Sequence, residues 1–97
     1  MEKDNSRISR HVTISGRVQG VGFRAWVKRT ADAFGVSGWV RNCAGGEVEA
    51  VFCGPEPAVT RMIAACRDGP EWSSVREVRV VNAQERHSGG LTIVRDR

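Results

Sequence analysis

The sequence contains no apolar run approaching the roughly 20 residues needed to cross a bilayer. Its opening residues, Met1 to Arg10, are polar and charged and lack the apolar stretch of a secretory signal. These two absences lead to the expectation of a cytoplasmic protein with no membrane partner. Cysteine is scarce: Cys43, Cys53 and Cys66 are an odd number with no Cys-x-x-Cys spacing, so neither a zinc site nor a disulfide framework is indicated. Cys53 and Cys66 lie in apolar segments and read as small core residues. No internal repeat, low-complexity tract or linker divides the chain. Blocks of one charge are also missing. Fifteen Lys and Arg against eleven Asp and Glu give a net +4, but the basic residues are dispersed. Dispersed charge suits a solvated surface better than a nucleic-acid footprint, while still drawing small anions inward. With 40% hydrophobic residues in 97, the chain can form one small domain with a modest core.

What the sequence does have is a glycine-bearing stretch, Gly16-Arg17-Val18-Gln19-Gly20-Val21-Gly22-Phe23-Arg24. It leaves a strand and enters a helix. Successive backbone amides in such a turn, set at a helix N-terminus, form a concave anion site. Arg24 adds a planar, permanently charged fork suited to phosphoryl oxygens. A cation at a helix start opposes the helix dipole unless an anion compensates it, which favours a functional reading of Arg24 over a surface one.

Residues 1–9 read as a flexible polar arm, leaving 10–97 as the domain. His11 to Val18 alternates as a half-buried strand, with Val12, Ile14 and Val18 on one face. Phe23, Val27, Ala31 and Phe34 then recur at helical spacing, and Gly35 ends the helix. Val36 to Cys43 and Glu47 to Cys53 read as strands joined by a hairpin through Ala44-Gly45-Gly46. Gly54-Pro55-Glu56 starts a second helix, whose buried face is Val59, Met62, Ile63 and Cys66; Gly69-Pro70 stops it. Val75 to Val81 is a fourth strand, Gln84 to Gly90 a loop, and Leu91 to Val94 a short last strand.

The order β-α-β-β-α-β, with that terminal strand, predicts an α+β ferredoxin-like sandwich. The expected sheet is antiparallel, of four to five strands, with two helices on one face. The first and second strands are joined through a helix and run parallel, with the third strand between them. Their C-terminal ends share one sheet edge, separated by two strand spacings, on the order of 10 Å. An anion held by the glycine loop therefore has Asn42 across the cleft.

The glycine loop resembles the signature of the acylphosphatase family. Gly35-Val36-Ser37-Gly38-Trp39-Val40-Arg41-Asn42 is similar to that family's second signature, at the expected distance, and Gly54-Pro55 and Gly69-Pro70 also fit. The resemblance spans residues 8–95. It implies a small enzyme that hydrolyses the carboxyl–phosphate anhydride of acyl phosphates with no metal and no cofactor. Carried over by position, it gives the phosphoryl group to Arg24 and to the backbone amides of Arg17, Val18, Gln19, Gly20, Val21, Gly22 and Phe23, and the attacking water to Asn42. The chain departs from the family pattern at Gly45-Gly46, where Asp-Gly is common, at Cys43, and at Leu91-Thr92-Ile93, where an aromatic-x-Ile pattern is usual.

These few groups suffice for that chemistry. An acyl phosphate is an activated mixed anhydride whose carboxylate leaves unprotonated, so no general acid is needed. The tasks left are to hold the phosphoryl oxygens, stabilise a loose transition state and place a water in line. An asparagine amide donates and accepts, so Asn42 can orient water without ionising. No carboxylate or histidine stands out as a base, and the water's proton is expected to pass to the substrate's own phosphoryl oxygens. His11 and His87 read as incidental, and Trp39, Trp26 and Phe23 as packing. Cys43 reads as inert unless a cationic neighbourhood lowers its pKa.

Three alternatives compete with this reading. An RNA-binding module on this fold needs stacking aromatics on its central strands, and residues 47–53 offer one aromatic beside two acids. A domain of a larger carbamoyl-transfer protein is a second alternative; the stop at Arg97 favours a free-standing enzyme. An anion sensor that retains the site without turnover is a third. The expected partners are small acyl phosphates, with broad tolerance of the acyl half, and a monomer is favoured.

Overall fold

The computed structural model describes residues 6–97. Its elements in chain order are β1 (Arg7–Arg17), α1 (Phe23–Phe34), β2 (Ser37–Asn42), β3 (Val48–Pro55), α2 (Glu56–Asp68), β4 (Ser74–Asn82) and β5 (Leu91–Ile93). The arm expected over 1–9 therefore divides. Met1–Asn5 lie outside the described residues, while Arg7, Ile8 and Ser9 already pair with Pro55, Gly54 and Cys53 of β3. This polar start can be a strand because its groups are used: Ile8 packs against the core, and the Ser9 hydroxyl donates to the Glu85 carbonyl.

The strand order is β4-β1-β3-β2-β5, with β3 inserted between β1 and β2 as the connectivity requires. One expectation is corrected. The sheet is mixed rather than antiparallel, because β5 runs parallel to β2, with Gly38, Trp39 and Val40 opposite Leu91, Thr92 and Ile93. The cause is the route of the chain. β4 lies at one edge of the sheet and ends beside Arg10. Residues 83–90 then cross to the other edge and deliver Leu91 to the start of β2.

Alternation along the strands separates two faces. Val12 and Ile14 of β1, Val40 of β2, and Val48, Ala50 and Phe52 of β3 are all fully buried. They form one cluster with Phe23, Val27 and Ala31 of α1 and Val59, Met62 and Cys66 of α2. Burial of each large side chain in this layer contributes about 1.5–3 kcal/mol. Ile63, expected on the buried face of α2, is only partly buried.

The helix-free face is laid out in cross-strand rows. Ser9, Cys53 and Ser37 form one; His11, Val51 and Trp39 the next; Thr13, Glu49 and Arg41 the third. Residues 83–90 cover the first two. The Gly90 amide donates to Ser37 Oγ, and Trp39 Nε1 donates to Glu85 Oε1 at 2.8 Å. In the third row Glu49 Oε1 accepts from Arg41 Nε at 2.8 Å and from the Cys43 thiol at 3.6 Å, while its Oε2 pairs with His11 Nε2.

Candidate active site

The loop between β1 and α1 is shaped by backbone preference. Gly20 and Gly22 have φ of 76° and 78°, a left-handed region that side chains with a Cβ enter at a cost. A Cβ at either position would meet nothing within 4 Å, so these glycines answer to backbone angle and not to crowding. Gly22 is the N-cap of α1. Among the described residues no side chain caps this helix, and its first turn holds no acidic residue. The first-turn amides and the positive end of the helix dipole are thus left to whatever approaches from outside.

Arg24 is the second residue of α1 and is partly exposed. Its Nη1 donates to Asp96 Oδ1 at 3.0 Å, so the compensating anion expected at this helix start is present as a carboxylate. Asn42 is the last residue of β2, paired with Val48, and its carbonyl accepts the Arg97 amide. A tight turn follows, closed by Cys43 N to Glu47 O at 2.9 Å and Gly46 N to Cys43 O at 3.1 Å.

A cavity of about 260 Å³ lies between the loop and the end of β2, lined by Val18, Gly20, Gly22, Phe23, Arg24, Ala25, Asn42 and Ile93. Six of the nine residues expected at the site are therefore brought to one space. Arg17, Gln19 and Val21 are not in its lining. Arg17 is exposed and pairs with Ser74, Val21 packs against the core, and Gln19 extends its side chain to the β2–β3 turn. Sequence reasoning did not find Asp96 or Ile93 as neighbours of the site. Asp96 sits in a charged Arg-Asp-Arg stretch with no pattern to single it out. Ile93 was visible as part of Leu91-Thr92-Ile93, but its position facing the loop depends on the parallel pairing of β5.

A larger cavity of about 360 Å³ opens on the helix-free face, lined by Thr13, Cys43, Ala44, Gly45, Glu47, Glu49 and Arg97. Two carboxylates against one arginine make it a poor receptor for a phosphoryl anion. Burial works to raise the pKa of Glu49, but hydrogen bonds from His11 and Arg41 outweigh it and hold the carboxyl below the usual glutamate value. The same environment acts in the opposite sense on Cys43. Burial, then the nearby Glu49 charge, push its thiol above the ordinary value, so the cationic lowering that would have made it reactive is reversed. His11 is tied to Glu49 and His87 to Glu85. Phe52, the single aromatic of β3, is fully buried under the helices and offers no base-stacking surface. Among the described residues, no group of three or more His, Cys, Asp or Glu is arranged to hold a metal.

A family model described as acylphosphatase matches residues 10–93. An acylphosphatase of Rhodopseudomonas palustris is 56% identical over 79 residues, covering 81% of this chain and 80% of that protein. The solved structure of an acylphosphatase from Coxiella burnetii superposes with a TM-score of 0.86 at 31% identity, covering 91% of this chain and 93% of that one. That of the Bacillus subtilis acylphosphatase gives 0.85 at 34% identity, covering 90% and 98%.

Proposed function

The chain belongs to the acylphosphatase family, hydrolases of acyl phosphates, and we propose that it performs this hydrolysis in the cavity between the β1–α1 loop and the end of β2. The observation that supports this placement is that Arg24, Asn42 and the two left-handed glycines line one space although they come from separate elements. The phosphoryl oxygens are held by loop amides within 17–23 and by the Arg24 guanidinium. Asn42 directs a water at phosphorus, opposite the departing carboxylate.

Each role follows from the group available. The uncapped amides of α1 point a fixed dipole at the site without reorganisation, which is the arrangement that stabilises developing charge best. Arg24 is drawn from Asp96 to the incoming phosphoryl group, since a doubly charged oxyanion offers more acceptors than a solvated carboxylate. The carboxamide of Asn42 holds a water by one donor and one acceptor contact, and the proton it loses goes to a phosphoryl oxygen. The domain, 10–97 by sequence and extended to Arg7 by β1, is read as a cytoplasmic monomer that takes small acyl phosphates.

The test is hydrolysis of benzoyl phosphate in EDTA by wild type, Arg24→Ala and Asn42→Ala. Arg24→Ala should lose phosphate affinity together with about 100-fold or more in rate. Asn42→Ala should lose rate while its Ki for inorganic phosphate stays near that of wild type. Phosphate binding by wild type with no turnover would leave the anion-sensor reading in its place. A pH–rate inflection that vanishes in His11→Ala or His87→Ala would overturn proton transfer to the substrate.

A further inference from the structure

Gln19 belongs to the phosphate loop by sequence, yet its side chain serves another segment. Its Nε2 donates to the Cys43 carbonyl at 2.8 Å and to the Glu47 carbonyl at 2.9 Å. These are the two residues that close the turn between β2 and β3. Each carbonyl carries two lone pairs, and in each one is used within the turn: Cys43 O accepts from Gly46 N and Glu47 O from Cys43 N. The carboxamide of Gln19 takes the remaining acceptor site on both. A single NH₂ group with two hydrogens thus spans the mouth of the turn.

This clamp lies one residue from Asn42. β1, which leads into the loop, and β2, which ends at Asn42, are not neighbours in the sheet, because β3 stands between them. Among the described residues, no backbone hydrogen bond outside the regular elements joins 17–23 to 42–47. We propose that Gln19 is a positioning residue. Its carboxamide fixes the β2–β3 turn against the phosphate loop and so sets where Asn42 holds the water relative to a phosphoryl group bound by that loop. This rests on the roles given above to the loop and to Asn42. Gln19 touches neither phosphate nor water through its side chain; it acts on the geometry between them, where a misplacement of about 1 Å costs up to 100-fold in rate.

The discriminating experiment is a double-mutant cycle with Gln19→Met, which keeps the length and removes the donor, in wild-type and Asn42→Ala backgrounds. Benzoyl phosphate kinetics and the Ki of inorganic phosphate are measured for all four proteins. The expected result is that Gln19→Met lowers kcat about tenfold and moves the phosphate Ki by less than about twofold. In the Asn42→Ala background the same substitution should cost less than about twofold, because groups acting as a unit are not additive. Unchanged kcat, a Ki that rises in step with the rate loss, or a full additive loss in the Asn42→Ala background would each overturn the positioning role. A wild-type rate in Asn42→Ala alone would remove the water-orienting assignment, and the Gln19 role with it. An additive loss above a crippled Asn42→Ala removes only the latter. Should Gln19→Met not fold, Gln19→Leu also removes the donor without adding a charge and is read by the same criteria.

Discussion

Arg24 Nη1 lies 3.0 Å from Asp96 Oδ1, so the guanidinium that opens α1 already holds a carboxylate from the C-terminal segment. Both side chains are substantially exposed, at 37% and 57%, and such pairs contribute about 0–1 kcal/mol. In the proposed mechanism a phosphoryl group bound at Arg24 would compete with this contact. Asp96→Asn is expected to lower KM and the Ki of inorganic phosphate by up to about fivefold, with kcat and thermal stability nearly unchanged. A fall in kcat with loss of a pH inflection would instead make Asp96 a base.

Gly22→Ala places a Cβ at φ 78° in open space, so its effect isolates the backbone. The expected cost is about 1–2 kcal/mol, read as a fall of about 4–8 °C in Tm per kcal/mol for a domain of this size, together with a reduced kcat/KM. Gly22→Asn should be milder on both counts, because asparagine enters the left-handed region more readily. Equal effects of the two would show that something other than backbone angle governs the position.

Glu49 gives the fold an acid limit. Its folded pKa is depressed, so its contribution is complete above the ordinary glutamate value of about 4.3 and is lost as pH falls through the lower folded value. Glu49→Gln should destabilise the protein by about 1–3 kcal/mol at pH 7, since Arg41 and His11 lose a charged acceptor. The difference from wild type should shrink below pH 4 in denaturant titrations.

The same substitution should expose Cys43 to reagents. Burial and the Glu49 charge raise its thiol pKa, while burial pushes that of Cys66 up to about 12. Brief iodoacetamide treatment at pH 7 should leave both sites unlabelled and activity intact. In Glu49→Gln, Cys43 labelling at pH 8 should become several-fold faster, as followed by mass spectrometry.

The shape of the β1–α1 loop was legible in the sequence because it is carried by residue types with few alternatives. Glycine at 20 and 22 reports a backbone angle, and an arginine opening an uncapped helix reports an anion. The position of Asn42 followed from connectivity alone. The role of the Gln19 side chain did not, because its partners are carbonyls, and every residue presents the same carbonyl whatever its identity. The parallel pairing of β5 was hidden for a different reason: it depends on which face residues 83–90 cross. That crossing is fixed by hydrogen bonds to Ser37, Trp39 and Ser9, none of which carries a local signature. The early start of β1 at Arg7 was masked by its polarity, which is satisfied only once Glu85 arrives.

The placement of β3 between β1 and β2 also has a kinetic meaning. Among the described residues the only paired strands adjacent along the chain are β2 and β3; β1 finds its partners in β3 and in β4, as far away as Asn82 opposite Arg10. Closing such loops costs chain entropy before any contact returns it, and topologies dominated by distant pairings fold slowly. The loop and Asn42 share one cavity only after those distant pairings form. Recovery of activity on refolding should therefore track the global transition, with the β2–β3 hairpin as the sole sheet pairing able to form early.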